Sequence, residues 1–193
     1  MDNDKSKKVD LARIENAVRE ILLAVGEDVG REGIVGTPKR VAEMYAELLA
    51  GKEHTPEEHL TSVFRENYDE VVLLKDVPFY SMCEHHMMPF IGKAHIAYLP
   101  DGCVLGVSKL ARIFDCFARQ LQVQERLTSQ VADFLMNNLK PLGAAVVIES
   151  SHSCMTIRGI RKPGSVMVTS ALRGIFKKDS RSRSEVLSLM GVK

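Results

Sequence analysis

The chain has 193 residues, 45% apolar and 26% charged, with a formal net charge of +1. That length builds one compact domain with a sizeable core and needs no disulfide staples, and the composition excludes a disordered chain. The near-neutral balance excludes a grossly basic nucleic-acid binder, and apolar runs such as Ile21 to Val25 fall far short of the ~18 residues of a membrane span.

The opening MDNDKSKKVD has no apolar stretch of a secretory signal, so a reducing, cytoplasmic home is expected. There the four cysteines (Cys83, Cys103, Cys116, Cys154) are expected as metal ligands, catalytic groups or core filler. Residues 1–8 are polar and expected to fray. From Asp10 the positions Leu11, Ile14, Val18, Ile21, Leu22 and Val25 follow a helical period, and Gly26 offers a stop. Thr37-Pro38 reads as N-cap and N1 of a second helix running to Ala50, which buries Val41, Met44, Tyr45 and Leu48. These elements make a helical hairpin.

Val71 to Leu74 reads as a buried strand that Pro78 interrupts, and Tyr80 to His86 reads as irregular. Ile91 to Leu99 is a strand ended by the turn Pro100-Asp101-Gly102. Ser108 can cap a helix whose apolar face is Ile113, Phe114, Phe117 and Leu121. A further helix carries Leu127, Val131, Phe134, Leu135 and Leu139, and a strand spans Ala144 to Ile148. Thr156 to Ile160 and Val166 to Thr169 read as a hairpin around Pro163-Gly164, and Ser180 to Met190 as a closing helix. Helices lying between pairs of strands predict α+β with an antiparallel sheet. The charge is uneven: residues 158–193 hold nine Lys/Arg against Asp179 and Glu185, which suits either a solvated tail or an anionic ligand.

Cys83-x-x-His86 has metal-ligand spacing, and His152-Ser-Cys154 follows a predicted strand. Two thiolates and an imidazole make Cys83, His86 and Cys154 a three-ligand Zn²⁺ site, which leaves a position for water. Zinc lowers the pKa of that water to about 7. His85 and His152 lie beside the ligands. Either one could be a fourth ligand closing a structural Cys₂His₂ site, or both could be acid/base groups near neutrality. His54, His59 and His95 lack such neighbours, and Cys103 and Cys116 suit packing. No phosphate-loop motif and no zinc-deaminase pattern is present.

Ser81-Met-Cys-Glu-His-His86, Gly92-Lys-Ala-His-Ile-Ala-Tyr-Leu-Pro100, Gln122-Val-Gln-Glu-Arg-Leu127 and His152-Ser-Cys-Met-Thr-Ile-Arg-Gly159 resemble the zinc-dependent GTP cyclohydrolase I family. Thr37-Pro-Lys-Arg40, Val107-Ser-Lys109 and Thr169-Ser-Ala-Leu-Arg-Gly174 fit the same family, in the same order, from about residue 10 to 190. The resemblance implies conversion of GTP and water to 7,8-dihydroneopterin triphosphate and formate. It makes Cys83, His86 and Cys154 the zinc ligands, with the zinc-bound water attacking guanine C8. His152 would protonate N7, and His85 would be the second acid/base group, so both stay off the metal. Glu125 would recognise guanine, accepting from N1–H and the 2-amino group. Gln124 would lie near the base or ribose. Ser108, Lys109, Arg112 and Arg158 would meet the triphosphate, with Arg40 arriving from a neighbouring subunit.

The implied architecture is the tunnelling fold, an antiparallel sheet with helices on one face. Residues 1–60 would form the hairpin region and 61–193 the catalytic domain. The family assembles as a D5 homodecamer with sites at subunit interfaces. Neither a nucleic-acid nor a membrane partner is implied. Two departures stand out. Many relatives have Arg-Pro-Gln where this chain has Gln120-Leu121-Gln122, so the helix ending near Leu121 is free to run into the next. Glu43 stands where some relatives place a second basic residue, so that phosphate contact is not carried over.

Overall fold

The computed structural model describes residues 9–191, and the polar opening at 1–8 lies outside them. Helix α1 spans Leu11–Ala24, capped by Asp10, whose side chain accepts from the Arg13 N–H at 3.0 Å. Helix α2 spans Thr37–Leu48. Its N-cap is Gly36, one residue before the expected Thr37, so Pro38 falls in the first turn at N2, where a missing N–H costs nothing. The helix stops short of Ala50, and 3₁₀ turns at Ala50–Glu53 and Pro56–Ser62 follow. The expected burial is only partly met: Ala42 is buried, Val41, Tyr45 and Leu48 are half-buried, and Met44 is exposed. The physical reason is that α2 packs chiefly on α1 and only lightly on the body. Gly51 ties the hairpin to the body, donating to the Arg119 carbonyl at 2.9 Å. A Cβ there would stand 2.6 Å from the Cys116 carbonyl oxygen, which only glycine avoids.

Next come β1 (Val63–Arg65), β2 (Val72–Cys83), β3 (Pro89–Leu99), β4 (Cys103–Leu105), α3 (Val107–Ala118), β5 (Leu121–Gln122) and α4 (Gln124–Asn138). The chain ends through β6 (Gly143–His152), α5 (Ser153–Thr156), β7 (Met167–Gly174), α6 (Ile175–Lys178) and α7 (Ser180–Met190). The main sheet has the order β5-β2-β3-β6-β7, antiparallel except for β5 beside β2, and β1 pairs with β4.

Several expectations are corrected. Pro78 does not interrupt its strand: β2 runs on to Cys83, with Pro78 opposite Lys93. Only Met82 and Cys83 of β2 pair with β5, so Pro78 lies on an open edge, where proline is tolerated. Strand 156–160 does not form. Ser153–Thr156 is a helical turn, and β6 pairs with β7 instead. Gly106, not Ser108, precedes α3, and Leu121 leaves that helix's apolar face for β5. The α3 and α4 helices therefore do not merge, because β5 separates them.

Helices cover parts of both faces, not one. Ala94, Ile96 and Tyr98 with Ala144, Val146 and Ile148 join the larger core beneath α3 and α4, while Ala97, Ala145 and Val147 pack with Phe176, Val186 and Met190 of α6 and α7. This is the period-2 alternation of strands. In the larger core Phe79 meets Phe90 and Phe114 edge-on, at centroid distances of 6.0 and 5.2 Å, each pair worth about 1 kcal/mol beyond burial.

His95 is 3% exposed, and its Nδ1 accepts the Asp76 N–H at 3.3 Å, at the bulge between Leu74 and Val77. Burial lowers its pKa, which Asp76 and Glu149 raise and Lys75 and Lys93 lower further. A histidine held neutral in the fold takes up a proton more readily when unfolded. Its contribution to stability is therefore present above the unfolded value of ~6.5 and is lost as pH falls from there through the lower folded value. Denaturant titrations at pH 7.5 and pH 5 should show lower stability at pH 5. His95→Gln should narrow that difference.

Candidate active site

The end of β2 and the start of β3 are joined by a tight turn. The Cys83 N–H donates to the Met88 carbonyl at 2.9 Å, and the Met87 N–H donates to the Cys83 carbonyl at 2.8 Å. Met87 takes a left-handed φ of 52°, a conformation that is uncommon for a residue with a Cβ. The turn folds Cys83 and His86 toward one point. Cys154 arrives from the first turn of α5, directly after β6. The three donor atoms of Cys83, His86 and Cys154 all lie within 4.8 Å of one another, close enough to share a metal ion. His85 stands outside that mutual set, its Nδ1 3.9 Å from the Cys83 sulfur. Burial raises the Cys154 thiol pKa, as does the nearby Cys83, while the Arg158 charge lowers it. A cation at the group would reverse that balance and favour thiolates.

His152 closes β6 opposite Phe90 and stacks on its ring, with centroids 4.5 Å apart and planes within 5°. Its Nε2 lies 2.9 Å from Gln124 Oε1. Burial lowers its pKa, and the Glu125 carboxylate acts in the opposite direction. His152 also lines a cleft of about 310 Å³ with Ser150, Met155, Ser165, Val166 and Met167, an apolar wall with polar edges that suits a flat heterocycle.

The residues matched to the triphosphate are more scattered. Arg158 is exposed on the loop after α5 and near Cys154. Ser108, Lys109 and Arg112 sit on the first turns of α3; burial lowers the His59 pKa, and the Lys109 and Arg112 charges lower it further. Arg112 lines a separate cavity of about 250 Å³ that contains none of the metal-group residues. Arg40 folds back on its own helix start, donating to Thr37 Oγ1 at 3.0 Å.

The GTP cyclohydrolase I family profile matches residues 14–191. The chain belongs to the GTP cyclohydrolase I family. It is 61% identical over 188 residues to a GTP cyclohydrolase 1 of Rhodopirellula baltica, covering 97% of this chain and 82% of that one. It is 55% identical over 184 residues to the protein of that name from Geobacillus kaustophilus, covering 95% and 98%. Against that from Brevibacillus brevis it is 56% identical over 183 residues, covering 94% and 98%. Its function is that of a GTP cyclohydrolase I, a hydrolase. Among the described residues no helix is long and apolar enough to cross a membrane.

Sequence reasoning within this family passed over several residues at the site. Phe90, Ser150, Thr128 and Thr169 surround His152 and Gln124. A signal was available: Ser150 continues the core-facing alternation Ala144, Val146, Ile148, and Thr128 falls on the apolar stripe of α4, so both are polar groups at core positions. Glu84 was also passed over. It lies inside the metal turn and forms a two-pronged ion pair with Arg126, at 2.5 and 2.9 Å, the residue after Glu125. That hydrogen bond lowers the Glu84 pKa and raises that of Arg126.

The pair is solvent-exposed, so its value is geometric more than energetic. It clamps the turn that carries His85 and His86 to the start of α4. Glu84→Arg and Arg126→Glu should each lower kcat/KM for GTP. The double exchange should recover part of the loss. Two independent, additive losses in a double-mutant cycle would contradict the clamp.

Proposed function

We propose that Cys83, His86 and Cys154 hold Zn²⁺, and that the chain's residues around it open the guanine imidazole ring of GTP, releasing formate on the way to 7,8-dihydroneopterin triphosphate. The single observation that carries the reading is the convergence of two sulfurs and one imidazole within 4.8 Å, beside two histidines that stay off the set. Those donors suit zinc in a site with one open position, and zinc when bound supplies Lewis-acid activation of water at neutral pH. Glu125, in the first turn of α4, accepts two parallel hydrogen bonds from guanine N1–H and the 2-amino group. His152 holds the proton for N7, and Phe90 fixes the plane of its ring. His85 serves as the second acid/base group in ring opening and the later rearrangement.

Ser108, Lys109, Arg112 and Arg158 receive the triphosphate, together with Arg40 reaching in from a neighbouring copy. Their dispersal on one chain supports a site completed between subunits. The reading therefore includes the tunnelling fold and a homodecamer in which sheets of adjacent copies continue one another. Uncovered apolar positions on the second sheet face support it: Ile91 is 60% exposed and Val168 52%. Four unpaired cysteines support a cytoplasmic home.

Formate release from GTP, followed with and without a chelator, tests the whole. Turnover should vanish with the metal and return with added Zn²⁺, and undiminished turnover in metal-free protein would overturn it. Cys154→Ala should lose metal and turnover together, read by metal analysis of the purified protein. Glu125→Ala should mainly weaken selection of GTP over other purine triphosphates by roughly 10²-fold or more, the cost of leaving polar partners unpaired. Unchanged selectivity would refute that assignment.

A further inference from the structure

The resemblance points Gln124 at the base or ribose, but its side chain is 1% exposed and committed within the fold. Its amide nitrogen donates to the Ile148 and Met167 carbonyls, each at 3.0 Å, and reaches Thr169 Oγ1 at 3.1 Å. Carbonyl oxygens only accept, so this end of the amide must be the NH₂. The other end, Oε1, therefore accepts. It lies 2.7 Å from Ser150 Oγ and 2.9 Å from His152 Nε2.

The surrounding hydroxyls agree with that polarity. Thr128 Oγ1 donates its one proton to the Gln124 backbone carbonyl at 2.6 Å. The 2.6 Å contact between Thr128 and Thr169 must then be donated by Thr169, whose oxygen is left to accept from Gln124. Flipping the amide would set an oxygen against two carbonyls and break the chain of donors.

We propose that Gln124 is a positioning residue that fixes His152 as the Nε2–H tautomer and so leaves Nδ1 as the nitrogen that exchanges a proton with the guanine ring. Oε1 can only accept, so Nε2 must carry a hydrogen. Phe90, stacked on the ring, holds its plane while Gln124 sets its rotation. In the acid step His152 begins with protons on both nitrogens. The N7 lone pair takes the Nδ1 proton, the Nδ1–H bond breaks, and the ring is left neutral with Nε2–H still on Gln124. A proton from water restores Nδ1. The proposal deepens the acid role given to His152 and rests on it.

The direct test is a solid-state ¹⁵N spectrum of the full-length, zinc-loaded protein carrying ring-labelled histidine. The His152 signal is identified by its loss in His152→Gln. With the ring neutral, a protonated Nε2 and bare Nδ1 are expected, and a protonated Nδ1 with bare Nε2 would overturn the proposal without any activity measurement. Gln124→Met keeps the volume and removes the hydrogen bonds. It should lower kcat by about ten-fold or more with the KM for GTP little changed, and should mix the His152 tautomers. A raised KM with unchanged kcat would assign Gln124 to substrate contact and overturn the positioning role. Should Gln124→Met fail to fold, the native spectrum still decides. Full turnover in His152→Ala would instead sink the acid role on which the proposal rests, a failure the spectrum tells apart from a wrong tautomer.

Discussion

Strand β3 is held antiparallel between β2 and β6, and the site depends on that register. Met82 pairs with Pro89, and Phe90 pairs with His152. The ends of β2 and β6 therefore meet on either side of the beginning of β3. Strands in a sheet are about 4.8 Å apart, so the pairing brings the Cys83 turn and the Cys154 turn together across one strand. A slip of one residue in β6 would turn His152 from the α4 side to the opposite face and take it off Phe90. The register is well specified because one face of these strands is buried beneath α3 and α4 and part of the other beneath α6 and α7. Gly92 adds to this: a Cβ there would overlap the Glu149 carbonyl of β6.

The first turn of α4 distributes the work around that register. Gln124 reaches down into β6 and β7, Arg126 reaches out to Glu84 in the metal turn, and Glu125 lies between them. The helix start is thereby tied both to β6 and β7 and to the turn that carries Cys83 and His86. The Gln124 network is buried, where an unpaired amide or hydroxyl would cost about 1–3 kcal/mol. Every polar atom of the Gln124 side chain has a partner, so the network rigidifies rather than penalises. Further along α4, Asp133 receives Arg173 of β7 at 2.6 Å, which pins the same helix to the edge strand.

One chain leaves parts of its surface unfinished. Ile21, Leu23 and Val25 of the first helix and its following turn are exposed, as are Ile91 and Val168 of the sheet. Large apolar side chains left exposed on a sheet face and a helical hairpin suit a surface that meets another protein surface. The basic residues matched to the triphosphate are also spread over α2, α3 and the loop after α5. Both features are what the assembly proposed above would leave on a single copy.

The local elements whose cause is local were legible in the sequence. Helices α1, α4 and α7 follow their apolar periods, and Cys83-x-x-His86 reads as a metal turn because two intervening residues suffice to converge two side chains. Cys154, directly after a predicted strand, offered itself as the third candidate donor from its residue type and place, and the motifs identified the family. What the sequence did not show depended on neighbours far along the chain. Pro78 could stay in a strand only because that stretch of β2 lies at an open edge. Leu121 joined β5 because the end of β2 offered it a pairing partner. The Gln124 side chain, matched to the base or ribose, lies buried in the fold, because β6 and β7 present two carbonyls just where its amide ends. Periodicity and spacing thus determined which residues are chemically able, and the strand register decided which of them touch.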